Sequence, residues 1–265
     1  MLSKIQNSIN KKMKITTEIG QKIFFTSDTH YHHKNIVDGI SDWDRSKGNT
    51  RPFKTQLEMD STIVKNINKT VGENDILVHL GDWSFGGIEQ IFNLREEINC
   101  KNIYLLFGNH DHHIKRNKIL PNCHFKPNSK KGEVVFGPNP NNYGDDRDHL
   151  FAVQAQDLFI EVSEIEDLTI RLKIERKNKT AQAMYKKYRF VICHYPLASW
   201  NKMKDGVMHL HGHIHSNNES KLGPGKMLDV GMDGHPEFRP YELNEILDLI
   251  KDRPTRGLLR QDHHQ

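Results

Sequence analysis

Cysteine is scarce: Cys100, Cys123 and Cys193 are the three in 265 residues, and no C-x-x-C pair occurs among them. They form neither a disulfide framework nor a thiolate zinc site, and they suit a reducing compartment. Long apolar runs are absent too. Nothing approaches the roughly 20 residues that cross a bilayer, and the start, MLSKIQNSINKKMK, lacks the apolar stretch of a secretory signal. Neither sign of charge dominates: 38 Lys and Arg against 34 Asp and Glu leave a formal +4, with the basic residues spread along the chain. These absences predict a soluble, cytoplasmic protein with no membrane partner, and they neither demand nor exclude nucleic acid. With 35% hydrophobic and 27% charged residues the chain also lacks a disordered composition, and its length suffices for one domain, 1–265, with a sizeable core.

What is plentiful is histidine, 17 residues of it, and its positions matter more than its number. KITTEI and KIFFTS read as short strands joined at Gly20, the second running into Asp28. Residues 55–71 place Leu57, Ile63, Val64, Ile67 and Val71 on one helical face, and DILVHL follows as a buried strand ending at Gly81-Asp82. A helix over 88–98 and the strand NIYLLF then end at Gly108-Asn109-His110-Asp111. Alternating strand and helix is the pattern of β-α-β units, which gather polar residues past the carboxyl ends of their strands. RFVIC runs into His194 and VMHLHG into His213 and His215 in the same way. Residues 126–157, dense in Pro, Gly, Asn and Asp, read as an excursion that is either mobile or borders the site, and 126–187 as a loop and hairpin insertion. LFIEVSEIEDLTIRLKIER alternates as a hairpin, 176–187 is basic and without a period, YELNEILDLI is helical, and the tail 252–265 is frayed.

Two divalent cations a few ångströms apart need a carboxylate able to bridge them, neutral imidazoles and further oxygen donors. Asp28, His30, Asp82, Asn109, His194, His213 and His215 supply such a set from five strand ends. Singly, each is an ordinary loop or buried polar residue. The compact strings weigh more, since from this composition G-N-H-D is expected on the order of 0.01 times and G-H-x-H on the order of 0.1 times.

The ordered series D-x-H, G-D, G-N-H-D, a lone His and G-H-x-H resembles the signature of the calcineurin-like metallophosphoesterase superfamily. Within it the chain is similar to small bacterial and phage phosphoesterases, which share stretches resembling SDTHYHHKNI, RPF, LVHLGDWSFG, CHYPLASW and LDVGMDG. The resemblance implies an α/β fold, a two-sheet β-sandwich flanked by helices, with a dinuclear metal site at the strand ends. It implies that Asp28, His30, Asp82 and His215 hold one ion and Asp82, Asn109, His194 and His213 the other, with Asp82 as the bridge. The metals expected are manganese, iron, nickel or zinc, with manganese the choice for assay. The implied activity is hydrolysis of phosphomonoesters or phosphodiesters by in-line attack of a metal-bridging hydroxide, with His110 as catalytic residue.

Alternatives are a nuclease or cyclic-nucleotide phosphodiesterase acting on nucleotide or nucleic acid at the same site, and a non-catalytic scaffold. GDWSFGG departs from the protein phosphatases, which carry a second Asp and an Arg soon after G-D, and so disfavours that activity. It also leaves His110 without an orienting partner, for which Asp111 is the adjacent candidate unless it caps a helix. His33 stands where the phage-like group also has His and is a candidate for the substrate phosphate or a metal-bound water. Arg51 is either a phosphate clamp or an ordinary surface residue. Asp229 and Asp233 are read as organisers of a turn, His211 as packed or supporting.

Overall fold

The computed structural model describes residues 12–42, 50–118, 123–125, 134–136, 154–175 and 184–255. β1 (Lys14–Thr16) and β2 (Ile23–Thr26) flank a left-handed Gly20 (φ 81°), which sends them into different sheets. The first sheet continues with β3 (Ile76–His79), β4 (Asn102–Leu106) and β7 (Glu161–Ser163), all parallel to β2, and is edged by the antiparallel β12 (Tyr241–Glu242). In the second sheet β8 (Ile165–Ile174) lies parallel to β1 and antiparallel to β9 (Met184–Cys193). β10 (Met208–His211) and β11 (Met227–Asp229) extend it in parallel. A separate antiparallel pair is formed by β5 (Cys123–Phe125) and β6 (Val134–Phe136).

The strands of the first sheet are apolar on both faces because both are covered. Phe24, Leu77, Ile103 and Leu105 pack beneath α1 (Gln56–Thr70) and α2 (Ile88–Glu97), while Ile23, Phe25, Ile76 and Val78 face the second sheet. There they meet Ile170, Phe190, Ile192 and Leu210, with the Phe25 and Phe190 ring centres 5.7 Å apart. α1 starts at Thr55, whose hydroxyl accepts from Glu58 N at 3.1 Å. Its buried stripe is Met59, Ile63, Val64 and Ile67. Leu57, expected on that stripe, is 77% exposed, because at 100° per residue it points well away from Ile63 whereas Met59 lies near it.

The hairpin expected over 158–176 divides instead: β7 joins the first sheet and β8 the second, where its hairpin partner is β9. Residues 184–187, read as aperiodic, are strand. MYKKYR carries polar or amphipathic side chains on both faces, so its period of two is invisible in hydrophobicity. Within the expected insertion, the described residues thus contribute strands to both sheets. Residues 126–133 and 137–153, to which the mobile or site-bordering excursion was assigned, lie outside the described residues, as does the tail beyond 255. No helix among the described residues is long and apolar enough to cross a membrane.

α3 (Leu243–Ile250) closes the inter-sheet core with Leu243, Ile246 and Ile250. At its first turn Glu245 faces His235 Nε2 at 3.2 Å and accepts from Arg239 Nη1 at 3.0 Å. Burial alone would raise the Glu245 pKa. The hydrogen bonds and the Arg239 charge outweigh it and hold the carboxyl at about 2, against 4.5 for a free side chain. A depressed acid stabilises the fold fully above its unfolded value and loses that contribution as pH falls through the folded one. The melting temperature is therefore expected to fall between pH 4.5 and 2, and Glu245→Gln to flatten that part of the profile in thermal melts.

Candidate metal centre

Five strands from the two sheets deliver their C-terminal residues to one place: β2 leads to Asp28 and His30, β3 to Asp82, β4 to Asn109 and His110, β9 to His194, and β10 to His213 and His215. Each strand must turn away at once, and the backbone does so in the left-handed region at Asp28 (φ 55°), His30 (47°), Asp82 (56°), His213 (73°) and His215 (49°). Such angles are unfavourable for residues with a Cβ, and locking contacts hold them. Asp28 N donates to Gly81 O (2.9 Å), His30 N to Asp82 O (3.1 Å), and His213 N to the Asp28 carboxylate (2.9 Å). Two glycines permit the approach. A Cβ on Gly108 would strike the Asp82 side chain and backbone, and one on Gly212 would strike Ser27 and the Asp28 carboxylate.

The side chains then converge. His30 Nε2 lies 3.7 Å from Asp28 Oδ1, 3.5 Å from Asp82 Oδ2 and 3.2 Å from His215 Nε2, and His215 Nε2 is 3.7 Å from Asp28 Oδ1. Asp82 Oδ2 is 3.3 Å from His194 Nε2, which is 3.0 Å from Asn109 Oδ1, itself 3.0 Å from His213 Nδ1. All seven residues expected as ligands are brought together. Two groups, Asp28 with His30 and His215 and Asp28 with Asp82 and His194, have ligand atoms within 4.8 Å of one another, as one ion requires.

The donor set fits cations better than it fits itself. Asp28 Oδ1 is buried and has no hydrogen-bond partner among the described residues. Burial disfavours the charged Asp28, but the neighbouring His30 imidazole and the other imidazoles around it, His215 and His194, hold its pKa far below the usual carboxylate range. Burial lowers the His30 pKa. At His194 burial acts the same way but is overcome by Asp82 and Asp28, which lift it to about 9, so the carboxylates favour positive charge at this position.

Supporting contacts aim the imidazoles. His194 Nδ1 meets Leu80 O at 2.9 Å and His215 Nδ1 meets Asp233 Oδ2 at 2.9 Å, an arrangement that leaves each Nε2 lone pair facing inward. Asp233, read from sequence as a turn residue, thus serves His215; its only local signal is the string LDVGMDG. Asp229 does organise the turn, accepting from Gly231 N (2.8 Å) and Ser216 N (3.1 Å).

Arg51, read as a phosphate clamp or an ordinary surface residue, is turned into the protein. It is 1% exposed, and its guanidinium forks onto Asp233 (2.9 and 2.8 Å) while bonding the carbonyls of Thr29 and Asp28. It fastens the D-x-H loop to the loop behind His215. Asp111 is likewise neither cap nor partner of the His110 ring. Its carboxylate accepts from Asp82 N (2.7 Å), Gly108 N (2.8 Å) and Trp83 N (2.9 Å), tying the G-D loop to the G-N-H-D loop. Burial and the Asp82 charge raise its pKa to about 6.

His110 is half-buried, its N–H donating to Asp82 Oδ1 (2.8 Å) and its ring centre 5.4 Å from that of His30. His33 is buried beside His30 and stacks on Phe85 at 3.9 Å with planes 10° apart. It forms a wall of the site. His211 is packed in β10, as expected. If Arg51 is structural, Arg51→Ala should lower the unfolding free energy by about 3–5 kcal/mol, because it removes a buried guanidinium and leaves the largely covered Asp233 without its fork partner. Urea melts measure this. A variant as stable as the parent but with a raised KM would return Arg51 to the substrate.

A 102-residue stretch is 32% identical to an uncharacterised protein, MJ1445, of Methanocaldococcus jannaschii, covering 38% of this chain and 52% of that one. The chain thus spans about half the length of this curated relative. A crystal structure of a protein of unknown function, AQ665 from Aquifex aeolicus, overlaps 87% of this chain and all of its own at 18% identity and a TM-score of 0.46. The family model for calcineurin-like phosphoesterases matches residues 21–217, which hold all five motifs and every converging donor described above. The chain belongs to the calcineurin-like phosphoesterase family.

Proposed function

We propose that this chain hydrolyses phosphomonoesters or phosphodiesters with two divalent metal ions bound at the converged strand ends. Asp28, His30, Asp82 and His215 hold one ion, and Asp82, Asn109, His194 and His213 the other. The observation that carries this reading is the position of Asp82 Oδ2, 3.5 Å from His30 Nε2 and 3.3 Å from His194 Nε2, between two donor groups. A carboxylate so placed is suited to bridge two ions. When bound, the ions supply Lewis-acid charge for the phosphoryl oxygens and lower the pKa of coordinated water.

The chain's own groups do the remainder. Asn109 contributes a neutral oxygen, so that the two carboxylates, rather than three, set the charge of the donor set. His110 is held at the rim by its N–H bond to Asp82 Oδ1, leaving its imidazole to donate to a phosphoryl oxygen and to protonate the departing oxygen. Phe85, which stacks on His33 with its ring centre 5.1 Å from that of His110, shields this side of the site from water. The absence of the protein-phosphatase Asp and Arg from GDWSFGG supports small esters or diesters rather than phosphoproteins.

Protein reconstituted with excess manganese is expected to hold two ions per chain by metal analysis. Saturation at one ion, unaffected by Asp82→Asn, would remove the bridge from the model. His110→Ala should keep both ions and lose about 10²-fold or more in turnover. The loss should shrink for leaving groups of low pKa such as p-nitrophenolate, which need little protonation. Loss of metal from His110→Ala would make it a structural support instead.

A further inference from the structure

The outer face of the second sheet, at the end away from the metal donors, concentrates positive charge. The register of β8 and β9 sets Arg171 directly opposite Lys187 and Thr169 opposite Arg189, and β1 adds Lys14, paired with Thr169. These positions alternate with Ile170, Phe190 and Ile15, which point into the inter-sheet core, so the cations share the outward face. Lys12 precedes β1 beside them, and an open groove of about 630 Å³ runs between Lys12, Lys14, Arg171, Lys187 and Tyr185. Among the described residues none of Lys12, Lys14, Arg171, Lys187 and Arg189 has a carboxylate within ion-pair distance. Of the acids nearby, Glu18 is taken by Lys173, Asp167 accepts from Asn201, and Asp205, on the groove beside Lys187 and Arg189, makes an ion pair with none of the five cations. Arg171 instead lies over the Tyr185 ring, 4.0 Å from its centre.

Like charges directly opposite in an antiparallel pair destabilise the pairing, and Arg171 and Lys187 face each other with no described carboxylate in ion-pair contact. A chain whose formal charge is only +4 has five unneutralised cations and a tyrosine on one flat patch. We propose that this patch docks single-stranded nucleic acid, the phosphates along the cations and a base on the Tyr185 and Arg171 stack. The Tyr185 ring, half-buried on the sheet face beneath Arg171, suits stacking with an unpaired base. β9 links the patch to the metal centre: Arg189 and His194 are five residues apart on or just past one strand, roughly 17 Å at about 3.3 Å per residue. The docking requires no turnover, so it stands or falls apart from the phosphoesterase reading.

Fluorescence anisotropy of labelled oligothymidylate with the full chain tests it. Binding should weaken with salt at a log–log slope of about −0.7 per phosphate contacted, near −3 for four or five contacts. Arg171→Glu with Arg189→Glu should lower affinity by about 10-fold or more and flatten the slope. Tyr185→Ala should lower affinity by at least about 5-fold at unchanged slope. Lys187→Glu, which sets an acid opposite Arg171, should weaken binding while the melting temperature holds or rises, separating docking from folding. Affinity within twofold of the parent in the charge variants overturns the proposal. So does binding to phosphatidylserine vesicles without binding to the oligonucleotide, which would assign the patch to a membrane surface.

Discussion

Asp82 is used at every atom that can make a contact. Its N–H goes to Asp111, its C=O receives His30 N, its Oδ1 receives His110 N, and its Oδ2 stands between His30 and His194. This requires φ 56°, a conformation that costs on the order of 1 kcal/mol or more for a residue with a Cβ. The carboxylate cannot face both imidazoles and receive the His110 amide unless the chain leaves β3 in that turn. The rest of the site is arranged around this demand. Gly108 leaves room for the Asp82 side chain, and Asp111 clamps the two loops from behind.

The same logic repeats at the other strand ends. Left-handed residues at Asp28, His30, His213 and His215 turn polar side chains inward immediately after buried strands, and the bond from His213 N to the Asp28 carboxylate runs between the two sheets. The sandwich is therefore a precondition of the site as well as its support. The two sheets are registered by an apolar core, Phe25 against Phe190 among others, which brings the β2 loop within bonding distance of the β10 loop. Arg51 completes the tie from a third direction, fixing the carbonyls of Asp28 and Thr29 and, through Asp233, the ring of His215. A buried guanidinium is tolerated because its fork is matched by a carboxylate and its other donors by carbonyls.

Charge is distributed unevenly over the molecule. The candidate metal centre gathers carboxylates and imidazoles, while the far end of the second sheet gathers cations that form no ion pair among the described residues. β9 passes from one environment to the other, polar at Lys186, Lys187 and Arg189, buried from Phe190 to Cys193, and ending at His194. That gradient explains why only its second half reads as a strand in sequence, since hydrophobic alternation exists only where a face is covered.

By itself the sequence determined which seven side chains come together as candidate metal donors, the strands that carry them and the family. Short strings such as G-N-H-D and G-H-x-H record local demands, a glycine for close approach and a donor in the next turn, and these survive in one dimension. The helical stripe was legible except at Leu57, whose angle on the first turn the apolar count ignored. Only the tertiary structure decided the roles of Arg51, Asp233 and Asp111. Arg51 and Asp233 are 182 residues apart and Asp111 reaches back 29 residues to Asp82, so no periodicity or spacing announces them. Their partners exist only once two sheets, registered by their shared apolar core, bring distant loops to the same ends of the strands.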